Sequence, residues 1–199
     1  MRKEAEELLM DALKSWEYCK KRLLICVAPK GSLTNCVTFP YLDLDAYIRI
    51  VIYAKQGEIQ GSCKVNEDIV NIWGISKNEL FSAAMECSKN KYFIHTMSEF
   101  LGIQTEIEQV VVRTEYELYG AGAIMFTDTI LQDVANFLDS DIIIIPSSIH
   151  EILCMSVNDA DLESVSAMVR EVNEEDVEEQ DRLANHAYLY YRDSKIIIW

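Results

Sequence analysis

The run of four isoleucines at 142–145, held between Asp141 and Pro146, constrains this chain more than any other feature. A stretch that is β-branched at every position has no polar face to turn outward. It predicts a strand buried on both sides, over 141–145. A short polar interval follows, Pro146-Ser147-Ser148-Ile149-His150, and then a second apolar run, 151–157. Two strand-like runs separated by so few residues predict neighbouring antiparallel strands joined by a turn at 146–151.

The flanking sequence fits helices onto this pair. Thr127 or Asp128 is positioned to cap a helix running to about 138. Leu162, Val165, Met168 and Val169 recur at spacings of three and four and predict a helix over 159–172. Residues 108–117, with Val110-Val111-Val112, and 120–126, which opens on the small residues Gly120-Ala121-Gly122-Ala123, read as strands. Residues 187–191 and 195–198 read as a hairpin turning at Asp193-Ser194. The C-terminal half is thus ordered β-α-β-β-α-β-β. The fold class is α+β, with a mixed, largely antiparallel sheet and helices packed on it.

The N-terminal half carries weaker signals. Leu9, Leu13, Trp16 and Lys20 predict an amphipathic helix from 2 to about 21, with Lys20-Lys21-Arg22 at the end where the helix dipole favours cations. Strands are expected at 22–27 and 42–53, around a turn at Pro29-Lys30-Gly31-Ser32. A short helix opened at Asn66 ends at Gly74. Ser76-Lys77-Asn78-Glu79 has the form of a capping box before a helix at 77–87. Residues 89–104 read as an irregular or helical connection. The 199 residues suit one α+β unit, with halves 1–104 and 105–199 sharing a core.

Charge narrows the function classes. Lys plus Arg number 18 and Asp plus Glu number 33, for a net charge of -15. Such a chain repels phosphate backbones and anionic lipid, so neither direct nucleic-acid binding nor membrane association is expected. Residues 158–182 hold ten of the acidic side chains against Arg170 and Arg182. Solvation of a helix end and loop is the commoner use of such a run, and residues 174–181 are expected to be an exposed, mobile connection. Mimicry of DNA is the sharper use. No apolar run is long enough to cross a bilayer, and the N-terminus lacks the apolar stretch of a secretion signal, so a cytoplasmic protein is expected. The six cysteines, at 19, 26, 36, 63, 87 and 154, show no Cys-x-x-Cys spacing and are read as reduced, apolar-site thiols. No metal or cofactor is expected: His95, His150 and His186 lie far apart, and Gly120-Ala121-Gly122 lacks the third glycine and the following helix of a dinucleotide loop.

Three stretches resemble a known family. They are Leu42-Asp43-Leu44 with Tyr47-Ile48-Arg49-Ile50, Val65-Asn66-Glu67 and Trp73-Gly74-Ile75-Ser76-Lys77-Asn78-Glu79-Leu80; Tyr119-Gly120-Ala121-Gly122-Ala123-Ile124; and Ile145-Pro146-Ser147-Ser148-Ile149-His150-Glu151 with Met168-Val169-Arg170-Glu171-Val172-Asn173 and Leu183-Ala184-Asn185-His186-Ala187-Tyr188. Together, over roughly 20–198, the chain resembles the bacterial domain-of-unknown-function family 5688 and, more distantly, the uncharacterised YtpQ-like family. The resemblance implies a bacterial protein of a kind found in mobile elements, and a leading segment present in relatives but missing here. It implies no activity and no catalytic residue.

Polar residues in and beside the third stretch are the binding candidates: Ser147, Ser148, His150, Glu151, Asn173 and His186. A serine, a histidine and a carboxylate in one turn, Ser147, His150 and Glu151, have the composition of a hydrolytic triad. No Gly-x-Ser-x-Gly elbow or oxyanion hole accompanies them. The alternative use, in which the serines satisfy turn backbone while His150 and Glu151 pair with other side chains, is favoured. The expectation is therefore a non-enzymatic module that binds an unidentified partner protein. An acidic DNA mimic or anti-defence inhibitor from a mobile element is one alternative, and a hydrolase built on the Ser147, His150 and Glu151 turn is another.

Overall fold

The computed structural model describes residues 12–55, 58–102, 104, 107–146 and 148–199, with backbone alone at 53–55 and 58–60. The chain divides into two compact units, Met1–Asn90 and Lys91–Trp199. Each is α+β, built of helices on antiparallel strands.

In the first unit, β1 (Leu23–Pro29) lies along one edge of β3 (Leu44–Lys55), while β2 (Thr38–Tyr41) and β4 (Glu58–Lys64) line the other, all antiparallel. Residues 2–11 of the expected N-terminal helix lie outside the described residues. The described remainder is broken rather than continuous. Ala12 and Leu13 are helical, and then Ser15 accepts the Tyr18 N–H at 3.3 Å and starts a new turn, α1 (Trp16–Cys19). A serine hydroxyl competes for backbone donors, which explains the break. Arg22 beyond it donates to the Tyr18 carbonyl at 2.8 Å.

α2 (Glu67–Trp73) and α3 (Lys77–Ser88) form where their signals lie. Asn66 accepts the Ile69 N–H, Gly74 stops α2 with φ of 66°, and Ser76 accepts the Glu79 N–H at 3.1 Å. Cys19, Leu23, Ile48, Ile50, Val65, Val70, Trp73, Leu80 and Ala84 make the core between these helices and the sheet. At the edge of the sheet the buried Ser88 hydroxyl takes the Ile25 N–H at 2.8 Å.

The second unit is a six-stranded antiparallel sheet ordered β10-β9-β7-β8-β6-β5. Its strands are β5 (Tyr92–Thr96), β6 (Val110–Thr114), β7 (Ile142–Ile145), β8 (Glu151–Ser156), β9 (Tyr188–Tyr191) and β10 (Ile196–Ile198). The isoleucine run is central and fully buried, with β8 on one side and β9 on the other. Strands β7 and β8 pair antiparallel across the 146–150 turn, and β9 and β10 form the hairpin, as expected. The stretch read as an irregular or helical connection holds β5 and then α4 (Met97–Leu101), opened by a reciprocal capping box between Thr96 and Glu99.

One expected strand is absent. Residues Gly120–Met125 form a buried 3-10 turn, not a strand. Its small residues serve close approach: a Cβ at Gly120 would stand 2.4 Å from the His150 carbonyl oxygen and 2.8 Å from the Arg113 Cα. α5 (Ile130–Phe137) follows, its N-cap at Thr129 rather than at Thr127 or Asp128. It packs on the face carrying Tyr190, whose hydroxyl donates to the Thr127 carbonyl at 2.7 Å.

α6 (Leu162–Glu175) covers the opposite face. Val165 and Val169 pack on Ile143, Ile145, Met155 and Ala187. The helix runs three residues past its expected end, so Glu174 and Glu175 are helical rather than part of a loop. Asp176 N–H closes the last turn on Val172, and Glu179–Asp181 form a 3-10 turn. Residues 174–181 are largely exposed, as expected, with Glu174 and Glu175 in the helix and Glu179–Asp181 in the 3-10 turn.

All six cysteines are free. Burial pushes the Cys19 thiol up to about 11 and raises that of Cys154 further, which makes both poor nucleophiles at neutral pH.

Candidate functional site

The turn between β7 and β8 holds the densest set of polar candidates. Ser148 accepts the His150 N–H at 3.0 Å, a local turn bond. The 3-10 turn is stitched to it by three successive donors: Tyr119 N–H to His150 Nδ1 at 3.3 Å, Gly120 N–H to the His150 carbonyl at 2.7 Å, and Ala121 N–H to the Ile149 carbonyl at 3.3 Å. Tyr119 is held at φ of 61°, a left-handed conformation that a tyrosine rarely adopts, and these bonds fix it there. From the other side, Ile149 N–H donates to the Asp181 carbonyl at 2.9 Å, and His150 Nε2 faces Asp181 Oδ1 at 3.3 Å.

These contacts set the imidazole's chemistry. Nδ1 accepts a backbone N–H, so in the neutral ring the proton sits on Nε2, against the Asp181 carboxylate. Both nitrogens are engaged, and neither presents a free lone pair to a serine hydroxyl. The carboxylate facing His150 is that of Asp181. Glu151 opens β8 in register with Arg113. Ser147 lies outside the described residues.

Asn173 and His186 belong to another cluster. Asn173 is 2 % exposed, and its amide Nδ2 donates to the Ala184 carbonyl at 2.9 Å and to Asn185 Oδ1 at 2.8 Å. Ser166 on the same helix accepts the Ala187 N–H at 3.0 Å. His186 stands between these ties, its Nδ1 3.0 Å from the Ala187 carbonyl and its ring edge-on to Tyr188. The cluster fastens α6 to the segment that leads into β9. Among the described residues no three His, Cys, Asp or Glu side chains gather as a metal site.

Beside these ties lies an opening that sequence reasoning missed. A groove of about 260 Å³ runs between α6 and the sheet, walled by Ile145, Pro146, Leu153, Met168 and Val172, with Asn173 in its lining. Met168, expected in the core stripe of the helix, is 45 % exposed, and Val172 is 42 % exposed. The helical periodicity marks both as apolar. Only the width of the sheet beneath decides that α6 covers Val165 and Val169 fully and leaves this pair at the rim. Asp181, Tyr119 and Asn185 were missed as well, since each acts through a partner far along the chain.

The second unit is therefore an antiparallel six-stranded α+β fold whose buried polar side chains tie segments together beside an apolar groove. The chain belongs to the Family of unknown function (DUF5688), whose sequence model matches residues 1–192. No curated protein and no solved structure matches it. Among the described residues no helix is long and apolar enough to cross a membrane.

Proposed function

We propose that this protein is a cytoplasmic, non-enzymatic module that works by binding a partner protein. The observation that carries the reading is the uneven use of its side chains. The polar candidates His150, Ser148 and Asn173 are spent on holding segments together, whereas large apolar side chains at the α6 groove stay open to solvent. Exposed apolar surface beside a polar rim is a common mark of an interaction site. The test is co-purification from the source cells after crosslinking, followed by reconstitution of the complex from two purified components. Saturable binding of the purified partner supports the reading. A purified chain that turns over an ester or amide, with turnover lost in His150→Ala at unchanged thermal stability, overturns it in favour of a hydrolase.

A second reading, DNA mimicry, draws on the acidic surface. Glu163, Glu171, Glu174 and Glu175 stand exposed on α6, a rigid element, with no ion-pair partner among the described residues. Salt-resistant, stoichiometric inhibition of a DNA-binding enzyme, lost on neutralising Glu174, Glu175, Glu178 and Glu179, would favour it over the first.

A further inference from the structure

We propose that the groove between α6 and the β7–β8 face receives a lysine- or arginine-rich segment of a partner protein, which inserts one bulky apolar side chain. The inference rests on the partner-binding reading and names the partner's chemistry.

Size sets the first limit. At about 260 Å³ the groove falls below the ~300–1,000 Å³ usual for small-molecule and cofactor sites. Its walls are mostly apolar, from Ile145, Pro146 and Leu153 on one side and Met168 and Val172 on the other, with Gln109 and Asn173 the polar residues of the lining. That combination fits a single large side chain better than a free metabolite.

A polar feature inside the groove gives the second limit. Asn173 directs both amide hydrogens away, to the Ala184 carbonyl and to Asn185 Oδ1. This fixes the amide orientation and leaves its Oδ1 with no donor among the described residues. No buried side-chain oxygen or nitrogen among the described residues lacks a partner, so this oxygen reaches solvent and is open to a donor from whatever fills the groove, such as an indole or backbone N–H.

Charge gives the third. Glu171 and Glu175, four residues apart, each follow a groove residue of α6, Met168 and Val172, by three positions, which sets them on the adjoining exposed strip of the helix. Both are exposed, with no cation paired to them among the described residues. The one cation on this helix, Arg170, falls two residues from Met168 and Val172 and therefore points to the far side. Arg113, on the same sheet face, already pairs with Glu117 at 3.3 Å and stacks on Phe100. An acidic strip adjoining an apolar slot is complementary to a cationic amphipathic segment, and it repels anionic peptides, nucleic acid and anionic lipid.

The experiment uses the full chain and a fluorescein-labelled amphipathic peptide of lysine, alanine and one tryptophan, read by anisotropy. Two comparison peptides replace the tryptophan by serine or every lysine by glutamate. The expected result is saturable binding of the first peptide only, weakened about tenfold by Met168→Ser and by the pair Glu171→Gln and Glu175→Gln. The pair Glu163→Gln and Glu174→Gln, on the far side of α6, should leave it unchanged. All these positions are exposed, and unchanged melting temperatures confirm that the variants are folded. Absence of saturable binding overturns the proposal, as does equal binding of the serine peptide or equal weakening by the far-side pair, either of which reduces the effect to general charge attraction. The broader reading fails on a different result. If a reconstituted natural partner binds Met168→Ser as tightly as the unsubstituted chain, the groove is not the site and partner binding stands. If no partner can be reconstituted while the peptide still binds as expected, the groove stands as a receptor for basic segments and the broader reading fails.

Discussion

Within each of the two units a different kind of polar bond predominates. In the first, most polar ties are local: Asn66 to Ile69, Ser76 to Glu79 and Ser15 to Tyr18 each reach three residues along the chain. The longer ones are fewer: Ser88 to Ile25, Trp73 Nε1 to the Leu13 carbonyl, Gly31 to Asp45 and Arg49 to Ser62. In the second, the bonds that matter span dozens of residues. His150 reaches back to Tyr119 and forward to Asp181, and Tyr190 reaches Thr127 across the sheet. A local cap stabilises one helix end and is lost without consequence elsewhere. A long-range tie forms only when two distant segments are already in place, so its loss is felt by both. The first kind should fail gently and the second cooperatively.

The sharpest way to break that contrast is at Gly120. The atoms crowding its missing Cβ are backbone, from the β6 end and from the β7–β8 turn, and neither can swing aside. Gly120→Ala should cost about 3 kcal/mol by overpacking and melt the 3-10 turn together with the His150 turn. Gly74 is the control. It too is a glycine, but it is needed for its positive φ, and nothing stands within 4 Å of an added Cβ. Gly74→Ala should cost only about 1 kcal/mol, confined to the end of α2. Denaturant unfolding followed by amide exchange at Tyr119, Gly120 and Ile149 distinguishes the two. A Gly120→Ala chain with native stability would remove the 3-10 turn from the argument.

Next are the side-chain hubs. Asn173→Ala removes a buried donor from the half-buried Ala184 and the exposed Asn185 and should cost about 2 kcal/mol. His150→Ala leaves the Tyr119 N–H without its acceptor and Asp181 without its partner. Because the ring is partly exposed, water softens the loss to about 1.5 kcal/mol. Either substitution should lower the thermal midpoint. A His150→Ala chain of unchanged stability would instead return His150 to the list of residues kept for chemistry.

The same contrast explains what the sequence reveals. The isoleucine run, the helix stops and starts at Asn66, Gly74 and Ser76, and the β9–β10 hairpin are all written within a few residues, and the structure places them as expected. Gly120 looked like a strand opening because small residues before an apolar run suit either a strand or a tight turn, and the crowding comes from residues 113 and 150. The candidate site was legible as a set of polar residues but not as an arrangement. His150 and Asn173 were identifiable, whereas Asp181 and Asn185 become their partners only through the fold. The groove was invisible, because an apolar position on a helix carries no mark of whether the sheet reaches far enough to cover it.

A smaller effect tests the local kind of bond. Ser76→Ala should cost about 1 kcal/mol and raise amide exchange only in the first turn of α3. If it destabilised the chain as much as Asn173→Ala, the distinction between local and long-range ties would have no energetic content.

The smallest effect uses α6, which carries both kinds of bond, Asn173 near one end and the N-cap Asp161 at the other. Asp161 accepts the Ser164 hydroxyl at 2.7 Å and the Ser164 N–H at 2.9 Å. The Ser164 hydroxyl, and next its N–H, hold this carboxyl below the ordinary aspartate range. A carboxyl whose folded-state value is depressed contributes stability that is fully present above the unfolded-state value, about 3.9, and is lost as the pH falls through the folded one. Above pH 5 the unsubstituted chain should therefore melt slightly higher than Asp161→Asn, which keeps an acceptor oxygen but cannot ionise. The gap should close as the pH is lowered below 4 and shrink in high salt, since the group is exposed. Amide exchange should report the change at the first turn of α6 and leave the Asn173 end protected. Loss of protection at both ends together would mean that the helix responds as one body, and that even a three-residue cap in this unit is coupled to its distant ties.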